Sequence, residues 1–348
     1  MKIIANHIIF FFQISLICIS LSVSGFLLKK IFLNFENETN QAFEENGLFG
    51  FILIGFLALT LNFFFPLNLF INNMFFILIF ILGYKLNFFD QKISKLLTKI
   101  FVVSIIAYFF LIYANNNRPD AFLYHLPYSR IVNENKIIFG LTNLHSRFGH
   151  ISIFQYISSF FVNSFFSTKG LLIPISLVPS FFFIYCLKRF NEQLTNIDTR
   201  LNAYLIFLFL IISIYSFSRY SGWGNDAQAH IFYFLTIIYF LDYRLDRNNL
   251  NLFFKISITV IFTFLVTPFY LVSLIIPIIF FFNKNTKIYI IKSKSTFFLI
   301  LFLCLWILKN FIVSSCFIYP INFTCVESTT WYNNNIKIIH SSAEAWSK

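Results

Sequence analysis

Apolar runs of membrane-crossing or near-crossing length recur along the whole chain. They lie at Ile8–Leu28, Leu48–Phe64, Leu67–Gly83, Lys99–Tyr113, Gly170–Leu187, Leu201–Ser216, His230–Leu241, Asn251–Val266, Pro268–Phe282 and Ser295–Ser314. A straight bilayer crossing takes about 20 apolar residues, and snorkelling flanks let shorter runs serve. The chain is 58% hydrophobic and only 11% charged over 348 residues. A soluble domain averages about 25% charged residues, so this chain cannot cover a water-facing surface. Inside lipid the backbone must bond to itself, which favours helices as spanning elements. The expected fold class is therefore all-α: a polytopic transmembrane bundle of about ten spans, a single integral membrane domain over 1–348. No fixed-period repeat and no linker divides it. The 54 Phe occur beside abundant Ile, Asn and Lys, a pattern of compositional bias, so no single Phe is given a role.

The formal net charge of +12 is placed where it orients helices. Lys85, Lys92 and Lys95 fall between runs, as do Lys188, Arg189 and Arg200, then Arg244 and Arg247, then Lys284, Lys287, Lys292 and Lys294. All four groups share one side if Asn251–Phe282 is a hairpin turning at Thr267-Pro268, and that side is the cytoplasm. Lys29 and Lys30 then also lie inside, which puts the N-terminus outside. No basic segment interleaved with aromatics is present, so nucleic acid is not an expected partner. Met1–Gly25 resembles a signal peptide, with Lys2, an apolar core and Ser22-Val23-Ser24. An uncleaved helix is preferred because the run continues to Leu28-Lys29-Lys30.

Three polar stretches share the outer face in this topology: 114–150, 218–230 and 315–348. His125, His145, His150, His230 and His340 fall in or beside them, and only His7 lies elsewhere. Charge-based sorting does not govern neutral His, so titratable groups gathered on one face point to acid/base or phosphate chemistry. Asp120 and Asp226 each precede an apolar run and are candidates both for helix capping and for catalysis. His230 follows Asp226 by one helical turn, so the pair suits mutual orientation or a metal. Arg130 and Arg147 suit either headgroup snorkelling or substrate binding. Asn143, His145 and Arg147 alternate by two, which puts them on one side of an extended loop. Ser152, Gln155, Ser159 and Asn163 form one polar stripe over Ile151–Phe166, the pattern of an amphipathic helix lying in the interface. Cys316 and Cys325 are nine residues apart in the tail and are disulfide candidates if it faces an oxidising compartment. Cys18, Cys186 and Cys304 lie within apolar runs and read as packing residues.

Asp-Ala-Phe-Leu-Tyr-His-Leu-Pro at 120–127 and Gly-Leu-Thr-Asn-Leu-His-Ser-Arg-Phe-Gly at 140–149 resemble a family of uncharacterised bacterial multi-pass membrane proteins. These in turn resemble the GT-C class of polyprenyl-phosphate-sugar-dependent glycosyltransferases. Phe65-Pro66-Leu67-Asn68, Gly224-Asn225-Asp226 with His230, and Cys316…Pro320-Ile321…Cys325 are weaker echoes. The resemblance implies a GT-C-like bundle in the bacterial inner membrane that moves sugar from a polyprenyl-phosphate lipid to an acceptor hydroxyl on the non-cytoplasmic face. It makes Asp120, in an early outer loop, the acceptor-activating base. Here several spans precede that loop where a typical GT-C enzyme has one, and such proteins usually continue further.

On that expectation Asp120 is the first choice of base, Asp226 the second, and His125 an auxiliary catalytic donor. Tyr124, Arg130, Asn143, His145, Arg147, Arg219 and His230 are the substrate-binding candidates, the arginines suiting phosphate oxygens. A divalent metal on Asp120, Asp226 and His230 is an open possibility. A polysaccharide polymerase or ligase, and a transporter or flippase of lipid-linked sugar, are the alternatives. The span interiors look nearly free of charge, with Lys255 and Lys309 near predicted ends, which favours interfacial chemistry over translocation.

Overall fold

The computed structural model describes residues 2–32, 42–90, 93–113, 120–195, 197–216, 225–246, 249–281 and 293–347. The α-helices among these are α1 Lys2–Phe32, α2 Phe43–Phe64, α3 Leu69–Lys85, α4 Ile93–Tyr113, α5 Leu126–Glu134, α6 Ile153–Phe160, α7 Ile173–Leu194, α8 Arg200–Tyr215, α9 Asn225–Leu245, α10 Leu250–Val266, α11 Ile275–Phe281, α12 Lys294–Ser314 and α13 Ile336–Ser347. Among the described residues six helical stretches are long and apolar enough to cross a membrane: Ile3–Phe32, Phe43–Phe64, Ile93–Tyr113, Ile173–Leu194, Ile197–Tyr215 and Lys294–Ser314. Leu69–Lys85, Leu250–Val266 and Pro268–Ile278 are apolar but shorter. Helix α9 is long enough, but Asp226, Asp242 and Arg244 interrupt its apolar character.

Large apolar side chains face outward from the bundle. Phe70, Ile77 and Ile81 on α3, Phe101, Ile105 and Ile112 on α4, and Leu201, Phe207 and Ile211 on α8 are all exposed. Such a perimeter suits lipid, which accepts apolar surface that water penalises. Helices α1 and α2 are joined by close backbone approach. A Cβ on Gly25 would lie 1.8 Å from the Asn46 carbonyl oxygen, and one on Gly50 would lie 1.9 Å from that of Leu21. Small residues at a crossing let two helices pack without side chains between them.

The bundle has two polar ends. At the basic end, Glu44 and Glu45 open α2 and are both buried. Glu45 accepts from Tyr239 Oη at 2.8 Å and pairs with Lys255 Nζ at 3.1 Å and with Lys29. Glu44 pairs with Lys188 at 3.1 Å and Lys99 at 3.9 Å. Arg189 reaches Asp242 at 2.6 Å, and Gln193 donates to the same carboxylate at 2.8 Å. Lys255, near the start of α10, thus belongs to a buried ionic network at the basic end.

At the opposite end, hereafter the loop end, the segment after α4 turns inward. The expected interfacial helix over Ile151–Phe166 is corrected: α6 spans only Ile153–Phe160 and every residue of it is buried. Its midpoint packs on Gly55, nine residues from the end of α2, or roughly 13 Å down the helix axis. The polar stripe faces protein rather than headgroups. Asn72 Nδ2 donates to the carbonyls of Leu67, Ser159 and Val162 at 2.8, 2.9 and 2.8 Å. Asn133 Nδ2 donates to Leu67 and Ser159, and Asn62 Nδ2 to Val132 and Asn135. Irregular backbone at depth is tolerated only where protein supplies such donors.

Two outcomes test this arrangement. Glu45→Ala leaves Lys29 and Lys255 buried without their carboxylate, and removing one partner of a buried pair costs about 3–5 kcal/mol; thermal unfolding in detergent reads the loss, and an unchanged midpoint would show the network to be energetically idle. In a Cys304→Ser background, Ser146→Cys is labelled by an impermeant thiol reagent on intact cells, whereas Glu192→Cys is labelled only after permeabilisation. The reverse pattern would invert the orientation.

Candidate functional site

Pro127 shapes the start of the site. It lacks an N–H and its ring crowds the carbonyl one turn back, so α5 is entered through a wider π turn, Ala121–His125. Asp120 precedes that turn in helical conformation, φ −60° and ψ −29°, and does not cap it. Its carboxylate makes no capping hydrogen bond and acts instead on Tyr124. Asp120 itself is exposed, while Tyr124 and His125 behind it are buried.

Arg147 comes from the turn Ser146–Gly149 and stands with its guanidinium 5.7 Å from the centre of the Tyr124 ring. Asp226, in the first turn of α9, also lies within electrostatic reach of Tyr124. Asp120, Arg147 and Asp226, spread over more than a hundred positions of sequence, therefore lie within electrostatic range of Tyr124 at the loop end. Burial and the neighbouring carboxylates push the Tyr124 hydroxyl up to about 12, with Arg147 opposing, so it stays protonated.

His125 is held behind this face by α6. Gln155 Nε2 lies 2.5 Å from His125 Nδ1. The contact fixes the orientation of the imidazole ring behind Tyr124. Burial lowers His125 to about 4, Arg147 adding to the effect and Asp120 opposing it. Burial likewise lowers His150 to about 4, reinforced by Arg147. Both imidazoles are neutral at pH 7 and act as hydrogen-bonding groups rather than cations.

The other expected site residues fall elsewhere. Arg130 is exposed on α5 and pairs with Glu134 at 2.8 Å. Asn143 donates to the Trp331 carbonyl at 2.9 Å, and His145 Nδ1 accepts from the Arg147 amide at 3.2 Å. Their loop is not extended: Leu141–Asn143 and Ser146–Gly149 are two 3₁₀ turns, which breaks the alternation read from the sequence. His230 sits edge-on to Tyr270 at 6.3 Å. Arg219 lies outside the described residues. Among the described residues no three of His, Cys, Asp and Glu gather as a metal site, so the trio Asp120, Asp226 and His230 is corrected. Cys316 and Cys325 form a disulfide in the tail.

Lys309, near the end of α12 as expected, is buried against the Trp306 ring, 3.5 Å from its centre. Glu44-Glu45 carry no signal in the sequence, because their partners Lys188, Lys29 and Lys255 lie on other helices. Tyr319 carried no sequence signal beyond its place between the two tail cysteines.

No curated protein and no solved structure matches the chain. A family model does match, over residues 8–347, and its description is a domain of unknown function, DUF8201. With that match running almost end to end, the chain belongs to the DUF8201 family.

Proposed function

We propose that this protein is a membrane-embedded glycosyltransferase of GT-C-like architecture with about ten spans. It moves a sugar from a polyprenyl-phosphate lipid to an acceptor hydroxyl on the non-cytoplasmic side of a bacterial inner membrane. The observation that carries this reading is that Asp120, Arg147 and Asp226 lie within electrostatic range of Tyr124 at one end of the bundle. That end is opposite the one rich in Lys and Arg, and the positive-inside rule makes the basic end cytoplasmic. The tail disulfide supports the same orientation, since such bonds persist in oxidising compartments.

The chemistry follows from the residues. The acceptor oxygen attacks the anomeric carbon, its proton passes to the Asp120 carboxylate, and the bond from the anomeric carbon to the phosphate oxygen breaks. The electron pair leaves with the phosphate, whose charge Arg147 meets with paired N–H donors. Tyr124 holds Asp120 in place, and Asp226 is the second carboxylate on the same face. Neutral His125, fixed by Gln155, backs Tyr124 from behind. Direct displacement inverts the anomeric carbon, by analogy with inverting hydrolases. The buried Glu45 network beside a 390 Å³ cavity favours a transporter of lipid-linked sugar as the second reading.

Asp120→Asn is expected to lower transfer from a labelled polyprenyl-phosphate sugar by ~10²–10⁴-fold, the usual contribution of a general base, while membrane insertion is unchanged. Full turnover in that variant would remove Asp120 from the role, and lipid scrambling in proteoliposomes without any transfer would favour the transporter. The histidines give a pH dependence. His125 is at about 4 in the fold against 6.5 in the unfolded chain, so the unfolded state binds more protons between those values. Stability is therefore expected to fall as pH drops from about 6.5 towards about 4, and His125→Gln to flatten that slope; an equal slope in both proteins would contradict the burial of a neutral imidazole.

A further inference from the structure

The tail turn that follows α12 folds back over the 145–150 loop. The centre of the Tyr319 ring lies 5.0 Å from that of His150, with the two rings nearly perpendicular. The same ring covers Gly149 so closely that a Cβ there would come within 2.4 Å of it. A glycine at this position is what lets the tyrosine lie flat against the loop. The turn is tied by the Cys316–Cys325 disulfide and by Thr324 Oγ1, which donates to the Ile318 carbonyl at 3.0 Å and accepts from its amide at 3.2 Å.

Tyr319 is 3% exposed, yet its hydroxyl has no hydrogen-bond partner. A buried polar group left unpaired is costly, and a fold held this firmly around it calls for a ligand atom there. Burial raises the hydroxyl above its ordinary range, and the charge of Arg147 opposes that shift. Arg147 lies two residues before the Gly149 that the Tyr319 ring covers, so a hydroxyl donor and a guanidinium share this loop, and both groups suit negative charge. Arg147 therefore serves two flanks. On one it acts on Tyr124 and His125, the Asp120 side; on the other it acts on His150 and Tyr319.

We propose that Tyr319, together with Arg147 and the neutral imidazole of His150, forms a subsite for a phosphate monoester or diester, and that the disulfide-tied tail turn is part of the binding site rather than a packing appendage. The proposal rests on the transferase reading for its assignment of the phosphate to the sugar donor, with the acceptor hydroxyl on the Asp120 flank. The anion chemistry itself does not depend on that reading.

The test uses the full chain in detergent, with binding of farnesyl monophosphate, farnesol and inorganic phosphate followed by calorimetry. Wild-type protein is expected to bind farnesyl monophosphate, and Tyr319→Phe to bind it about tenfold more weakly, the scale of one hydrogen bond to a charged group. Farnesol binding and the thermal midpoint should not change, because the phenylalanine ring keeps its seat on Gly149. Gly149→Ala, which displaces the ring, should weaken binding of the phosphate in the same way. Asp120→Asn should lose transfer and keep phosphate binding. Equal affinity of wild type and Tyr319→Phe, with water alone serving the hydroxyl, would overturn the subsite while leaving the transferase reading untouched. Loss of transfer in Asp120→Asn alongside that equality would confirm that only the subsite had failed. Binding of neither phosphate by the wild type would overturn both. Inorganic phosphate binding as tightly as the farnesyl ester would keep the anion subsite and remove the lipid as its source.

Discussion

A single carboxylate ties the bundle together at its basic end. Glu45 takes the hydroxyl of Tyr239 on α9, the ammonium of Lys255 on α10 and that of Lys29 on α1, while sitting on α2 itself. Burying any one of these charges alone would cost several kcal/mol, so each makes the others tolerable. The geometry admits only one relative placement of four helices. The Gly25 and Gly50 crossing then brings α1 and α2 to backbone contact, where a side chain would hold them apart. Specificity of packing here comes from polar and small residues, because lipid offers no apolar driving force between greasy helices.

The loop end is built on the same economy of polar groups. Three asparagines, Asn62, Asn72 and Asn133, hold the backbone of an inward-turning segment by donating to its carbonyls and to those of the α2–α3 connection. That segment delivers Gln155 to His125, and His125 stands behind Tyr124 and Asp120. The outward face presents charges of both signs, and the inward side presents neutral groups fixed by burial. Such an arrangement keeps charged groups at the surface of the bundle and their supports in its dry interior, the division that a preorganised site would use.

The sequence was most legible where physics is one-dimensional. Hydrophobic length located α1, α2, α4, α7, α8 and α12, although their ends extended beyond the apolar runs into polar residues such as Phe43-Glu44-Glu45 and Lys188–Leu194. The polar stripe of Ser152, Gln155, Ser159 and Asn163 was visible, but periodicity does not say whether a polar face meets water, headgroups or other protein. Only the three-dimensional placement of Asn72 and Asn133 decides that. Asp120, Tyr124 and Arg147 could be picked out from motif and composition, whereas Glu45 and Tyr319 stand out only through partners distant in sequence, on other helices for Glu45 and in the 145–150 loop for Tyr319. The alternation of Asn143, His145 and Arg147 misled because two 3₁₀ turns replaced an extended backbone.

The burial of α6 bears on how the chain is made. Ile153–Phe160 is translated before most of the helices that enclose it: Phe154 rests on Phe232 of α9 and Phe262 of α10, and Tyr156 lies beside Trp306 of α12. When this stretch leaves the ribosome those walls have not been synthesised, whereas the polar partners of Gln155 and Ser159, namely His125 and the Ser129 carbonyl, lie earlier in the chain. Its polar contacts can therefore form first, and its aromatic face is covered only as α9, α10 and α12 are added.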